Sequence, residues 1–188
     1  MPKPAFKLTI HMVSSLDGII AKKDNSVSWF ETKDYYEKGV DEISQQNAAA
    51  FLKTIDCYIM GSKTYEHALA LSKDFGWAYG DTPTIVVTQR KLPLERPNIE
   101  LYSGDLNKLV NERLKPNYTS VWLVGGAELA KNFIRLKLAD DIRLSVMPVI
   151  LGDGTLFFDQ VGQEETLHLK DVTAYKSGMV ELWYEIRK

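Results

Sequence analysis

The most constraining feature of this 188-residue sequence is the alternation of short apolar runs with segments of helical spacing. The runs at 8–13, 57–60, 84–88 and 121–124 are short, apolar or β-branched, and bounded by turn residues, so each predicts a core strand. Helical spacing predicts helices at 40–53, 62–71, 106–114 and 127–136. Strands that alternate with helices are typical of parallel β-α-β units in an α/β protein.

The last third of the chain changes character. Residues 142–150 predict a strand interrupted by Pro148. The tail alternates apolar and polar residues from Val180 to Ile186 after the turn at 176–178, which predicts a C-terminal antiparallel β-hairpin. We therefore expect a mixed, mostly parallel central sheet flanked by helices. At roughly 150 residues per domain, residues 1–188 are expected to form one domain.

Charge and cysteine content exclude several classes of protein. The chain has 23 Lys and Arg against 25 Asp and Glu, so no global basic field can hold a nucleic acid, and an anionic ligand must be bound locally. The single cysteine, Cys57, lies in an apolar run and is expected to be a buried reduced thiol. The three histidines lie on separate elements, so no metal site is expected. No apolar leader or stretch of 18 apolar residues is present, so we expect a cytoplasmic protein with no membrane partner.

Two glycine turns between a strand and a helix predict binding of phosphate groups. The first is Gly61-Ser62-Lys63-Thr64, where the helix start offers unpaired N–H groups; alternatively, Ser62 merely caps the helix. The second is Gly125-Gly126-Ala127-Glu128, where the two glycines remove both Cβ atoms beside a bound pyrophosphate. The alternative is a tight turn with positive φ, which needs only one glycine.

Two further segments follow strand ends. Thr88, Gln89, Arg90 and Lys91 supply cations and polar groups suited to a monoester phosphate, or else form a solvated loop. Asp17, beside Gly18, is either a turn residue or a carboxylate that hydrogen-bonds a heterocycle or passes it a proton. Trp29 would pack beside that ring or belong to the core. Neither G-x-G-x-x-G nor a P-loop is present.

In this order, the motifs resemble the dihydrofolate-reductase-like family, in the branch of the RibD C-terminal domain, the reductase domain of riboflavin biosynthesis, and its stand-alone bacterial relatives. The resemblance implies a three-layer fold and NADPH as cofactor. It implies that Gly61, Ser62, Lys63 and Thr64 hold cofactor phosphates, that Thr88, Gln89 and Arg90 receive the 2′-phosphate, and that Gly125, Gly126, Ala127 and Glu128 lie along the pyrophosphate. Val13 and Ser14 would meet the nicotinamide, and Ser14, Asp17, Trp29 and Gly152 would face the substrate.

One position departs from the family pattern. Dihydrofolate reductases carry a carboxylate on the first long helix, whereas the corresponding position here is Gln45; Asp41 and Glu42 lie about a turn upstream and could compensate. The resemblance therefore implies an NADPH-dependent reductase of a small heterocyclic or carbonyl substrate, similar to 5-amino-6-(5-phosphoribosylamino)uracil reductase, with Asp17 or a bound water as the proton donor. The alternatives are an inactive NADPH-binding sensor and dihydrofolate reductase activity.

The riboflavin branch also suggests an oligomeric state. Its C-terminal strands often form a dimer interface, so the resemblance implies a homodimer in which Trp183 or Met179 contributes to the contact.

Overall fold

A single eight-stranded sheet lies at the centre of the computed structural model, which describes residues 4–42 and 50–188. The spatial order of its strands is β5-β4-β3-β6-β1-β7-β10-β9. Six neighbouring strands run parallel, whereas β10 is antiparallel to both β7 and β9. The strands of this sheet are β1 (Lys7–Ser15), β3 (Cys57–Gly61), β4 (Thr84–Val87), β5 (Ile99–Tyr102), β6 (Ser120–Leu123), β7 (Asp141–Met147), β9 (Leu167–Ala174) and β10 (Val180–Ile186).

Helices and a small second sheet complete the structure. Helix α1 is Ser62–Phe75 and α3 is Ala127–Arg135. Between them, α2 covers residues 106–117 as three consecutive pieces, Leu106–Lys108, the π-helical Leu109–Leu114 and Lys115–Asn117. A 3-10 turn covers Ser28–Phe30, and β2 (Ile19–Ala21) pairs with β8 (Thr155–Leu156). None of the helices in the described ranges has the length and apolarity needed to cross a membrane.

Helices cover both faces of the sheet, which gives the expected three layers. On one face, Leu8 and Ile10 of β1 pack with Leu109 of α2 and Phe133 of α3, and all four are fully buried. On the other, Tyr65 of α1 packs against buried residues of β3, β4 and β5. Each fully buried side chain of this size contributes roughly 1.5–3 kcal/mol. The two apolar faces therefore hold the parallel strand ends in a fixed arrangement.

The strands and helices predicted from the periodicity are confirmed, apart from the helix at 40–53. Val40 is not helical: its N–H donates to the Ala174 carbonyl at 2.9 Å, and its own carbonyl accepts from Lys176 N–H. Residues 50–52 are helical, and residues 43–49, including Gln45, lie outside the described residues. The helix predicted at 106–114 extends three residues further and includes Pro116. The C-terminal antiparallel hairpin is confirmed as β9 and β10.

Candidate functional site

Two helix starts lie side by side at the carboxyl edge of the parallel strands. The N-cap of α1 is Gly61 and that of α3 is Gly126, and neither helix start is capped by a side chain. The Gly61 N–H donates to the Gly125 carbonyl at 2.8 Å, so the two turns are in direct contact. By contrast, the carboxylate of Asp105 caps α2, accepting from the Lys108 N–H at 2.9 Å. Unpaired N–H groups and two positive dipole ends therefore converge between β3 and β6.

Glycine occurs at the three positions of these turns for different physical reasons. Gly125 has φ +130°, a conformation that L-residues rarely adopt, and a Cβ there would lie 3.1 Å from Thr64 Oγ1. Gly126 and Gly61 have ordinary φ values of −89° and −82°. A Cβ on Gly61 would make an ordinary contact, 3.6 Å from the Gly126 N. Gly125 is therefore required by the turn itself, whereas Gly61 and Gly126 leave backbone accessible to a ligand. The peptide bond between Gly125 and Gly126 is cis.

The remaining residues of the two turns lie around this surface. The alternative that Ser62 caps α1 is wrong, because the N-cap is Gly61. Lys63 is exposed in the first turn of α1, and Thr64 places its hydroxyl beside Gly125. Ala127 begins α3. Glu128 turns toward Lys131, with which it forms an ion pair of 2.5 Å, and this pairing offsets its negative charge near the helix start.

The loop after β4 brings a cation to the same edge. Thr88 N–H donates to the Tyr102 carbonyl at 2.9 Å, and its hydroxyl accepts from Arg90 N–H at 3.0 Å, which fixes the loop. The Arg90 guanidinium forms two hydrogen bonds to Glu66 of α1, at 2.7 and 2.9 Å. This pairing holds the pKa of Glu66 below its usual range. Gln89 and Lys91 are exposed. A phosphate that reaches Arg90 must therefore compete with Glu66.

The end of β1 carries the carboxylate of Asp17. Its Oδ1 accepts from the Ser15 hydroxyl at 2.5 Å and from Leu151 N–H at 3.1 Å, and its Oδ2 accepts from Gly152 N–H at 2.7 Å. These hydrogen bonds, that of Ser15 foremost, lower the pKa of Asp17 to about 2. These hydrogen bonds favour the ionised carboxylate, and through them Asp17 holds the loop at 151–152.

The other residues expected near a substrate belong to β1 and to the 3-10 turn at Ser28–Phe30. Val13 and Ser14 belong to β1, and Ser14 is buried beside Val146 of β7. Trp29 is buried in the 3-10 turn, with its ring perpendicular to that of Phe30 at 4.6 Å. Among the described residues, its Nε1 has no hydrogen-bond partner.

The proposed compensation for the missing helix carboxylate is wrong. Neither Asp41 nor Glu42 is helical. Asp41 accepts from Lys176 Nζ at 2.6 Å, and Glu42 accepts from Ser177 N–H at 2.9 Å. Both acids therefore bind the turn between β9 and β10.

Three contributors to the site did not emerge from the sequence patterns: Glu66, Ser15 and Leu151. Glu66 pairs with Arg90 across 24 positions of sequence, and Leu151 reaches Asp17 across 134, so no local pattern reveals either contact. Ser15 is different, because a hydroxyl two residues before an aspartate is a local signal for a side-chain hydrogen bond. Within the described residues, no cluster of His, Cys, Asp and Glu could hold a metal ion.

The geometry and the comparisons with known proteins agree on the class. A parallel sheet with two open helix starts at adjacent strand ends is an α/β arrangement, and its carboxyl edge presents unpaired N–H groups of the kind that favour anions. The family model of the RibD C-terminal domain matches residues 6–181. The chain belongs to this family, which has the dihydrofolate-reductase-like fold.

Individual relatives differ in what their names imply. The uncharacterized protein YwjB of Bacillus subtilis is 28% identical and aligns with 95% of this chain and 97% of its own. A 2,5-diamino-6-ribosylamino-4(3H)-pyrimidinone 5′-phosphate reductase of Aquifex aeolicus is 31% identical, but over only 38% of this chain and 37% of its own. The solved structure of a Shewanella sp. PV-4 protein named for riboflavin biosynthesis superimposes with a TM-score of 0.80 over 97% of this chain and 100% of its own. At 19% identity, that structure supports the fold alone.

Proposed function

We propose that this protein is an NADPH-dependent reductase of a small heterocyclic or carbonyl substrate, in the same reaction class as the pyrimidine reductases of riboflavin biosynthesis. The observation that carries the proposal is the contact between two glycine-capped helix starts without side-chain caps. A dinucleotide pyrophosphate is an anion of the right chemistry for this pair of dipole ends. Gly125 and Gly126 would lie along it, with Ser62, Lys63 and Thr64 as further donors.

The residues present fit this cofactor. Because Gly61 and Gly126 carry no Cβ, no side chain stands between the backbone of the two turns and an approaching phosphate. A Cβ at either position would make only ordinary contacts, so the fold itself does not require glycine there. Arg90 would supply the cation for a 2′-phosphate, and Val13 and Ser14 at the end of β1 would meet the nicotinamide. When bound, NADPH supplies the hydride. The protein orients the two reactants and excludes water around them.

The geometry of Asp17 directs the choice of proton donor. Because hydrogen bonds lower its pKa to about 2, Asp17 is ionised throughout the neutral range. We therefore assign the proton to a bound water. Asp17 instead fixes Gly152, a residue expected to face the substrate.

Cofactor preference tests this proposal by binding rather than by activity. Calorimetric titration of the intact protein should give a lower Kd for NADPH than for NADH. Arg90→Ala should weaken NADPH by about tenfold and leave NADH unchanged, because only the 2′-phosphate meets the guanidinium. Glu66→Gln, the matched variant, should strengthen NADPH several-fold because it removes the competing carboxylate. Equal affinities of the wild type for both cofactors would reject the 2′-phosphate assignment.

A catalytically inactive dinucleotide-binding protein is the second candidate, favoured by one observation: Asp41 and Glu42, the acids near the missing helix carboxylate in sequence, bind the turn between β9 and β10 instead. The two candidates separate in one assay. The protein is incubated with NADPH and a panel of aminouracil ribosides, simple carbonyl compounds and pterins, including dihydrofolate. Oxidation of NADPH above background with any compound excludes the inactive candidate, and turnover of dihydrofolate alone would instead assign dihydrofolate reductase activity.

A further inference from the structure

The carboxyl edge has a second half beyond β1, built from different segments than the phosphate turns. We call it the distal half and define it as residues 15–42, 148–159 and 175–178. Its segments are joined by backbone hydrogen bonds: Leu16 N–H donates to the Val149 carbonyl at 2.8 Å, and Phe157 N–H donates to the Gly18 carbonyl at 2.8 Å. Tyr36 N–H donates to the Lys176 carbonyl at 2.7 Å. These hydrogen bonds join the three segments into one surface beside the end of β1.

Exposed apolar side chains are concentrated in the distal half. Half of the large apolar side chains that are strongly exposed in the described part of the chain belong to it. Leu16 and Ile150 are 67% and 70% exposed. The N–H of Leu16 donates to the carbonyl of Val149, the residue before Ile150. Exposed apolar groups gathered in one region indicate a surface that binds a ligand or another molecule. Others in this region are Tyr35, Tyr36, Leu156 and Phe158.

The charge of the distal half is negative. Its three segments together contain nine Asp and Glu against five Lys and Arg. Lys23 and Lys176 pair with Asp153 and Asp41, and these ion pairs leave the excess of acids unchanged. Residues 43–49 contain neither Lys nor Arg. An incoming phosphate dianion therefore meets a repulsive field here. The other half of the edge presents two helix starts, the exposed cations Lys63 and Lys91, and Arg90 in its pair with Glu66.

We propose that the distal half binds a substrate without a phosphate group, an uncharged heterocyclic or carbonyl compound that is held by apolar contacts. This inference rests on the proposed reductase function and narrows its substrate class. It differs from the 5′-phosphate that the name of the Aquifex aeolicus relative specifies for that protein. In the reduction, the carbon of the substrate C=O or C=N bond would take the hydride from the nicotinamide C–H bond of NADPH, and its heteroatom would take a proton from water. NADP⁺ and a hydroxide released to solvent would be the other products.

Matched pairs of compounds test the inference. The intact protein, saturated with NADPH or NADP⁺, is offered an aminouracil riboside and its 5′-phosphate, and pyridoxal and pyridoxal 5′-phosphate. Kd is measured by calorimetry, and kcat/KM wherever turnover occurs. In each pair that interacts, the compound without phosphate should be favoured by at least about tenfold, and the difference should shrink as salt is raised because charge repulsion is screened.

Results that contradict this inference can be told apart from results that contradict the proposed reductase function. Tighter binding of the phosphorylated member, equal binding of the two, or no binding of either member of any pair would overturn the inference while NADPH still binds. Absence of NADPH binding would reject the reductase proposal itself. If the phosphorylated member binds more tightly and Lys33→Ala or Lys38→Ala abolishes that preference, a phosphate site in this half replaces the inference.

A pair of surface variants tests the apolar contacts. Leu16→Ser combined with Ile150→Ser should raise the Kd of the favoured compound about tenfold, because each loses apolar surface that the ligand would cover. The Kd of NADPH should not change. Phe75→Ser, at an exposed apolar residue at the far end of α1, is the control and should alter neither constant. An unchanged Kd for the favoured compound in the double variant would show that these side chains do not contact it.

Discussion

At the scale of single residues, Asp17 shows how a carboxylate at a strand end can act through the backbone. It connects the turn after β1 to the loop at 151–152, two segments separated by more than 130 positions of sequence. A charged acceptor of two backbone N–H groups makes stronger hydrogen bonds than a neutral one. Asp17 therefore shapes the loop beside the expected substrate region.

The variant Asp17→Asn tests this positioning role. The amide can accept only through its oxygen, so one of the bonds to Leu151 and Gly152 is lost and the loop is less firmly held. We expect KM for the substrate to rise several-fold while kcat falls less than tenfold, and the pH profile of kcat to keep its shape between pH 5 and 8. These constants are measured by steady-state NADPH oxidation. A loss of kcat of a thousandfold or more with KM unchanged would instead indicate direct participation of Asp17 in proton transfer.

His11 is the residue whose ionisation should affect stability most visibly. It packs on Trp122 with ring centroids 4.5 Å apart, and burial, followed by the charge of Arg143, lowers its pKa to about 4 from 6.5. Since the folded pKa lies below the unfolded one, the unfolded chain binds the proton first as pH falls. Stability is therefore retained above about pH 6.5 and lost progressively toward pH 4.

Denaturant unfolding at two pH values measures this effect. Between pH 7 and pH 5, the free energy of unfolding should fall by roughly 1–2 kcal/mol in the wild type. The His11→Gln variant, which cannot ionise, should be less stable at pH 7 but should lose much less between the two values. Asp17 does not confuse the comparison, because its contribution is lost only below about pH 4. An equal pH dependence in both proteins would contradict the assignment to His11.

At the scale of elements, the two glycine turns separate a requirement of folding from a requirement of binding. Gly61→Ala should cost less than about 1 kcal/mol of stability, because φ is ordinary and the added Cβ makes only van der Waals contact. Gly125→Ala should cost about 1–2 kcal/mol or more, because φ is +130° and the Cβ presses on Thr64.

The Gly61→Ala variant should lose affinity for NADPH although it keeps most of its stability. Gly61→Ala should raise the Kd of NADPH at least tenfold despite its intact fold, because its methyl group stands where the phosphate approaches the helix start. Thermal unfolding and calorimetry of both variants make the comparison. A Gly61→Ala protein with unchanged affinity would show that no ligand approaches that helix start.

The sequence predicted the elements whose periodicity reflects burial, and missed those held by partners distant in sequence. β1, β3, β4 and β6 are buried on both faces and were visible as apolar runs. β9 was predicted only as the hairpin partner of β10, without bounds of its own, because six of its eight residues are exposed and its apolar residues do not alternate regularly. Val40 was assigned to a helix, although its bridge to Tyr175 and its hydrogen bonds to Ala174 and Lys176 make it extended. The glycine turns were located correctly, whereas the Glu66 partner of Arg90 depends on the tertiary fold.

At the scale of the whole molecule, one outer edge of the sheet is formed by a strand that has no partner on its far side among the described residues of a single chain. β9 is the terminal strand of the sheet and is eight residues long. It exposes Leu167, Leu169 and Val172. Beside it, a groove of about 320 Å³ on the sheet face includes Lys170 and Trp183, whose indole N–H donates to Asp141 at 3.1 Å. Long exposed edge strands tend to pair with another chain. We therefore expect a homodimer formed through the C-terminal strands.

Light scattering coupled to gel filtration tests the dimer directly. The wild type should have twice the mass of one chain at micromolar concentration. Leu169→Lys combined with Val172→Lys places charges on the exposed edge and should yield a monomer that remains folded, because both side chains are exposed in the single chain. Leu71→Lys on α1, also an exposed leucine, should remain dimeric. If the double variant keeps the dimeric mass, the two chains meet at another surface; if the wild type is monomeric, the edge of β9 stays unpaired in solution. NADPH affinity should be the same in dimer and monomer, because the glycine turns follow β6 and β3, which lie three and four positions from β10 in the sheet.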